Sequence, residues 1–264
     1  MDCNLKGKTV VVTGGGSGIG LATAMEFAKE GCNVAICGRS ASKLDNAKEK
    51  FAAAGLSVDA QSLDIVDLKA LNSYIDAIHK KYGRIDIWIN NAGIGPQKSI
   101  FDSTEEDWDT VMNINLKALY FASKYVCVHM KNDGGGVIIN VASYGAVKPI
   151  ANLHIYGASK IAVLSLTSSF AGAMAPHNIR VVSVIPGPIT TEMTEVLMKS
   201  PDYQKVAKHI TKDLVLNRMG KPEELAKPIV FLASDNCSFI TGVPIEISGG
   251  KLAVQQPQTC WGLD

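Results

Sequence analysis

Tyr156 and Lys160, in the run Tyr-Gly-Ala-Ser-Lys, are the residues of this chain best suited to moving a proton. On a helix their four-residue spacing puts both side chains on one face, about 6 Å apart along the axis. An ammonium beside a phenol favours the phenolate. It draws the phenol pKa down from about 10 towards a range where it can exchange a proton with a substrate alcohol or carbonyl. The same spacing also describes an ordinary exposed helix pair, so the neighbours decide. Ser143 follows the apolar run Val137–Val141, Asn90-Asn91-Ala92-Gly93 follows Ile85–Ile89, and Asn115 lies in a stretch (MNINLKALYF) that is apolar along one side. Buried amides need partners, and a serine at a strand end stands where an open parallel sheet gathers its ligands.

A second group of residues is built for an anion. Thr13-Gly14-Gly15-Gly16-Ser17-Gly18-Ile19-Gly20 follows the run Thr9–Thr13 and leads into a helical stretch. Glycines let the backbone turn tightly and approach a pyrophosphate, and the unpaired N–H groups of a helix start favour negative charge. A plain structural turn is the alternative. The glycines at 14, 18 and 20 do not follow the widespread G-x-G-x-x-G spacing. No lysine follows them as in the phosphate loop of nucleoside triphosphatases, which leaves a dinucleotide. At the end of the second strand an acid would bond the ribose 2′-hydroxyl, whereas a base accommodates a 2′-phosphate. Gly38-Arg39-Ser40 stands there, so NADP(H) is expected ahead of NAD(H), a solvated helix-start arginine being the other reading.

The elements that must position these groups are legible as an alternation. The β-rich runs are Thr9–Thr13, Asn33–Cys37, Ser57–Leu63, Ile85–Ile89, Val137–Val141, Ile179–Ile185 and Val243–Ile247. Most are apolar on both faces, as parallel strands covered by helices on each side must be. Between them Gly18–Glu30, Ser40–Ala54 and Asp67–Tyr82 carry apolar residues at helical spacing. Right-handed crossovers then give an α/β fold: a doubly wound, Rossmann-type parallel sheet of about seven strands with helices on both faces. We expect a single domain over 1–264, with a long insert at 190–218 as a substrate lid, a helix over Pro222–Ser234, and a tail at 251–264 that carries Trp261.

Composition supports one large core and excludes several function classes. The chain has 264 residues, 47% hydrophobic and 19% charged, with a net charge of +1, and its mean hydropathy is +0.12. No basic block speaks for nucleic acid. No apolar window approaches the ~18 residues of a membrane span, and the polar start lacks a signal peptide's apolar core. A cytoplasmic protein is expected. The six cysteines are scattered without a Cys-x-x-Cys pair, so free thiols are expected and no metal.

Taken together, Thr13-Gly14-x-x-x-Gly18-x-Gly20, Asp64, Asn90-Asn91-Ala92-Gly93, Asn115, Ser143, Tyr156-x-x-x-Lys160 and Pro186-Gly187-Pro188-Ile189-x-Thr191 resemble the short-chain dehydrogenase/reductase family over nearly the whole chain. The resemblance implies hydride transfer between a nicotinamide cofactor and a secondary alcohol or ketone. It implies that Tyr156 is the general acid or base, that Ser143 holds the substrate oxygen, that Lys160 lowers the tyrosine pKa and bonds the nicotinamide ribose, and that Asn115 holds a water of the proton relay. It places Gly14, Gly16, Ser17, Gly18, Ile19 and Gly20 at the coenzyme phosphates, with Arg39 and Ser40 at the 2′-phosphate. Asp64 goes to the adenine amino group, Asn91 to the adenosine side and Ile189 with Thr191 to the carboxamide, and Ile65, Ala92, Gly93, Pro186 and Gly187 are also expected at the coenzyme, as are Tyr156 and Lys160. Two features depart from the family pattern. Ser17 stands where NADP(H)-preferring reductases often carry a base, and Ser248-Gly249-Gly250 stands where an Asp commonly precedes paired glycines. The three-residue gap between Tyr156 and Lys160 argues against the enoyl reductase branch.

Residues flanking these motifs (Gly95, Pro96, Tyr144, Ile150, His154, Met193 and Leu197) are expected to line the substrate pocket, with Tyr144, Met193 and Leu197 touching substrate beside Ser143 and Tyr156. Most are apolar, which suits a hydroxysteroid or a 3-oxoacyl compound; a polyol or sugar is the alternative, and a non-catalytic dinucleotide-binding regulator is a further one. The run Ile161–Met174 is apolar or small all round, so it must be covered twice, once by the sheet and once by a partner subunit. The family resemblance likewise implies a dimer or tetramer, and a homotetramer is the expected form.

Overall fold

The computed structural model describes residues 2–191, 194, 210–255 and 257. The seven expected strands form one parallel sheet. They are β1 Thr9–Thr13, β2 Asn33–Gly38, β3 Asp59–Ser62, β4 Ile87–Asn90, β5 Gly136–Val141, β6 Ile179–Pro186 and β7 Pro244–Ile247, in the order β3-β2-β1-β4-β5-β6-β7. The chain leaves β1 towards one edge and returns at β4 towards the other. The C-terminal ends of β1 and β4 therefore flank the crevice where such sheets bind ligands.

Strands buried on both faces divide their side chains between two cores. Val10, Val12, Ile36, Ile87, Ile89, Ile139 and Val182 face one layer with Leu21, Phe27, Leu44, Phe51 and Ile229. Their neighbours Val11, Ala35, Cys37, Trp88, Ile138 and Val181 face the other with Leu71, Tyr74, Ile75, Val126 and Met130. Among the described residues the α-helices are α1 Gly18–Lys29, α2 Ala41–Ala53, α3 Leu68–Tyr82, α4 Glu105–Met112, α5 Ala118–Asn132, α6 His154–Met174 and, after the insert, α7 Pro222–Ala233. Their ends follow local chemistry. Asp67 accepts from Lys69 N and Ala70 N at the start of α3, Gly83 closes it in the left-handed region at φ 80°, and Thr104 with Asp107 forms a capping box on α4. Between α4 and α5 the backbone widens into a π-helical turn, Asn113–Lys117. By length and composition α6, with its flanking turns, could cross a membrane, but here it packs against β6.

Five cysteines lie among the described residues, all free thiols. Burial pushes Cys32, Cys37 and Cys127 from 9.0 up to about 12. Thiols that ionise earlier in the unfolded chain contribute stability that is complete below pH 9 and is lost as pH rises from 9 towards 12, at roughly 1.4 kcal/mol per pH unit for each of the buried Cys37 and Cys127. Cys127→Ala should therefore flatten the decline of the urea midpoint between pH 9 and 11. An unchanged slope would contradict the burial assigned to this thiol.

Candidate active site

The glycine loop after β1 is tied down before it reaches α1. Gly14 N and Gly15 N donate to Cys37 O at 2.8 and 3.3 Å. Gly14 (φ 66°) and Gly18 (φ 54°) occupy backbone conformations that favour glycine. A Cβ on Gly20 would lie 2.4 Å from both Gly14 O and Asn91 Nδ2, so only glycine lets α1 start this close to β1. The first turn of α1 holds no acidic residue, and Ser17 at its N-cap position makes no side-chain hydrogen bond to it. These first-turn N–H groups suit a phosphate.

The other expected coenzyme residues surround this loop. Asn91 donates its backbone N–H to Thr13 Oγ1 (3.0 Å) and its amide to Thr13 O (3.0 Å) and Gly14 O (3.2 Å). It thus stitches β4 to the loop, whereas the sequence reading set it only beside the adenosine. Thr13, which opens the glycine motif but was given no role of its own, also accepts from Ala92 N at 3.2 Å. Arg39 is exposed and Ser40 half-buried. Ser40 caps α2 by accepting from Lys43 N, and Arg39 pairs with no carboxylate among the described residues. Asp64 is exposed and accepts from Val66 N, while Ile65 is buried beside Ala92 and Ile114. After β6, Gly187 donates to Ile247 O, Ile189 is buried against the Gly220 turn, and Thr191 approaches Gly18, its Cγ2 3.3 Å from where a Cβ would stand there. Thr191 therefore faces the glycine loop.

The proton-handling groups gather at the end of β5 and the start of α6. Ser143 caps a short turn, accepting from Gly145 N at 3.1 Å. Tyr156 lies in the first turn of α6, and the chain passes so close over its ring that a Cβ on Gly95 would sit 3.2 Å from Cδ2. Lys160 is 4% exposed, donates to Val141 O at 2.7 Å, and places Nζ 5.8 Å from the centroid of the Tyr156 ring. Asn115 is fully buried. Its carbonyl oxygen accepts from Ile94 N (2.9 Å), and its amide donates to Ile94 O (2.8 Å) and to Ser159 Oγ (3.0 Å). Ser159, another residue the reading missed although it stands inside Tyr-Gly-Ala-Ser-Lys, donates in turn to Tyr156 O at 2.7 Å. The side chain of Asn115 thus clamps the 93–95 chain to α6.

One expectation is corrected by burial. The sequence reading has the ammonium lowering the phenol pKa, but burial raises Tyr156 above its ordinary value and only the Ser143 hydroxyl opposes this. Burial also lowers Lys160 from 10.5 to about 8. The ammonium is directed at the Val141 carbonyl, and desolvation outweighs its influence on the phenol. In this state the phenol is neutral, a proton donor.

The expected pocket residues divide. Ile150 reaches Gly145, a residue outside that expectation: a Cβ on Gly145 would lie 3.7 Å from both Ile150 Cδ1 and Tyr156 Cε1. His154 is half-buried, its ring hydrogen-bonded to Ser103 Oγ (3.0 Å) and Ala151 O (3.3 Å). Met193 and Leu197, most of the 190–218 insert, and Trp261 lie outside the described residues. Tyr144 has a neighbour no spacing foretold, Lys251, whose Nζ lies 5.8 Å from its ring centroid.

A family model described as Enoyl-(Acyl carrier protein) reductase matches residues 14–251. The 3-oxoacyl-(acyl-carrier-protein) reductase FabG of Thermotoga maritima is 38% identical over 246 residues, covering 93% of this chain and 98% of that one. Dehydrogenase/reductase SDR family member 4 of Oryctolagus cuniculus is 35% identical over 247 residues, covering 93% and 94%. Among solved structures, L-sorbose reductase from Gluconobacter frateurii, complexed with NADPH and L-sorbose, superposes with a TM-score of 0.90 at 29% identity, covering 96% of this chain and 100% of that one.

Proposed function

Because the chain belongs to the short-chain dehydrogenase/reductase family, we propose that it is an oxidoreductase that interconverts a secondary alcohol and a ketone with NADP(H). The observation that carries this reading is the convergence of Ser143, Tyr156, Lys160 and Asn115 at the end of β5, beside a glycine cradle that a single Cβ would fill. When bound, NADP(H) supplies or accepts the hydride. Reduction loads negative charge onto the substrate oxygen, and Ser143 and Tyr156 donate hydrogen bonds to it there. Tyr156 gives up its proton as that charge develops. Lys160, held against Val141 O, then stabilises the phenolate. Asn115 keeps the 93–95 chain and α6 in register.

Gly14, Gly16, Ser17, Gly18, Ile19 and Gly20 would hold the coenzyme phosphates, with Thr191 closing on them. Ile65, Ala92 and Gly93 would line the adenosine side beside Asp64, and Pro186, Gly187 and Ile189 the carboxamide end. Arg39 is free to fork onto a 2′-phosphate. A panel of ketones run with NADPH and NADH separately tests the reading. Wild type should prefer NADPH, and Arg39→Ala should lower that preference roughly ten- to a hundredfold, the loss of one charge-assisted contact. A preference that Arg39→Ala leaves unchanged contradicts the assignment.

A single catalytic domain carries the 190–218 insert as its substrate lid. The exposed Ile161 on α6, with Tyr120 and Val128 on α5 and Trp108 on α4, speaks for a second copy covering this side, in a dimer or tetramer. Free thiols fit a cytoplasmic location.

A further inference from the structure

A line of polar side chains crosses the core beneath the site, and no step of the proton transfer uses it. Trp88 and Asn90 face the same side of β4, and Asn140 stands opposite Asn90 on β5. The Trp88 indole N–H donates to Asn90 Oδ1 at 2.7 Å. The Asn90 amide donates to Ser123 Oγ on α5 at 2.9 Å and to Asn140 Oδ1 at 2.8 Å. Asn140 Nδ2 donates to Thr167 Oγ1 on α6 at 3.0 Å, and Thr167 Oγ1 donates to Val163 O at 2.8 Å. None of these side chains belongs to a residue more than 4% exposed.

The sense of every bond in this line follows from its two ends. An indole nitrogen can only donate, so Asn90 must turn its oxygen towards Trp88 and its amide towards Asn140. Asn140 then has its oxygen engaged, which leaves its amide for Thr167. At the far end the Thr167 hydroxyl gives its proton to Val163 O, one helical turn back, and can only accept from Asn140. Such a line has a single arrangement. Apolar residues of the same shape would stabilise the core about as well, but they would let a helix slide on a sheet. The helix held here is α6. Asn140 directly precedes Val141, whose carbonyl receives Lys160 Nζ at 2.7 Å, and Thr167 lies about two turns beyond Lys160 on the same face of α6. β5 and α6 are therefore joined at two heights by bonds of opposite sense, just before the chain reaches Ser143.

Resting on the oxidoreductase reading above, we propose that Thr167 and Asn140 are positioning residues for the proton transfer. They fix the height of α6 on β5, so that Tyr156 and Lys160 stand level with Ser143, and Trp88 fixes the sense of the bonds that do so. Thr167→Val keeps the shape of the side chain and removes the hydroxyl, whereas Thr167→Ser keeps the hydroxyl. With NADPH and a ketone that the wild type reduces, Thr167→Val should lower kcat roughly ten- to a hundredfold, the effect of a misplaced proton donor, with KM for the ketone and NADP+ affinity changed less than about twofold. Thr167→Ser should bring kcat back to within about threefold of wild type. Thermal unfolding of each variant reads stability separately. A Thr167→Val enzyme that unfolds at a lower temperature yet keeps kcat within about twofold overturns the proposal, because the line then only stabilises. So does a fall in kcat that Thr167→Ser does not reverse, or one matched by a loss of NADP+ affinity. Should Thr167→Val not fold, Trp88→Phe removes the indole donor, keeps an aromatic ring, and should lower kcat about three- to tenfold with KM and NADP+ affinity again unchanged. Unchanged kcat in that variant, or its failure to fold, overturns the proposal. In each of these outcomes the wild type still reduces ketones, and the oxidoreductase reading stands. NADPH consumption by the wild type with no ketone at all overturns both.

Discussion

Tyr156→Phe is expected to cut ketone turnover by roughly 10² to 10⁴, the usual contribution of a positioned proton donor, while NADP+ affinity stays near that of wild type. The substitution isolates the hydroxyl. The ring that Gly95 packs against remains, and so do Lys160 on Val141 O and Asn115 on Ile94. Ser143 can still donate to the substrate oxygen but has no charge partner with which to release a proton. Steady-state NADPH consumption and a coenzyme titration, both on the purified variant, separate the two effects. Turnover within threefold of wild type would remove Tyr156 from the chemistry, and a parallel loss of coenzyme affinity would make its role structural.

Gly20→Ala should act on the other half of the site. The added methyl would stand 2.4 Å from Gly14 O and from Asn91 Nδ2. Neither can step aside, because Gly14 is bonded to Cys37 O and the Asn91 amide is bonded to the same loop. The start of α1 must move away from β1. Overpacking of this kind costs about 1–3 kcal/mol of stability, and displacing the phosphate-facing N–H groups should weaken NADP+ by tenfold or more, equivalent to about 1.4 kcal/mol. Gly172→Ala on α6 is the control: a Cβ there would meet nothing within 4 Å. Thermal unfolding and coenzyme titration of both variants provide the check. Equal behaviour of the two would contradict the close approach of α1 to β1.

The sheet was legible because strands buried on both faces announce themselves as continuous apolar runs. Val10 and Val11, adjacent in sequence, end in opposite cores. Boundaries shifted where apolar character and pairing part company: Ile85 is buried, yet β4 begins only at Ile87. The π-helical turn that buries Asn115 left no trace, since one widened turn does not alter a helical periodicity. Spacing gave the Tyr156–Lys160 pair but not its electrostatics, because the sign of a pKa shift depends on burial, which the sequence leaves open. The Asp213–Lys251 pair was out of reach for a simpler reason: the partners are 38 residues apart and meet only because two glycines of positive φ fold the end of β7 onto the 213–217 chain.

A neutral phenol placed to donate its proton to the substrate oxygen is the centre of this chemistry. A crystal structure of the protein with NADP+ bound tests it most directly. The expected result is the Tyr156 and Ser143 hydroxyls turned together towards C4 of the nicotinamide, with Lys160 within hydrogen-bond reach of the ribose. A phenol pointing into bulk solvent, or a nicotinamide seated away from the end of β5, would contradict it.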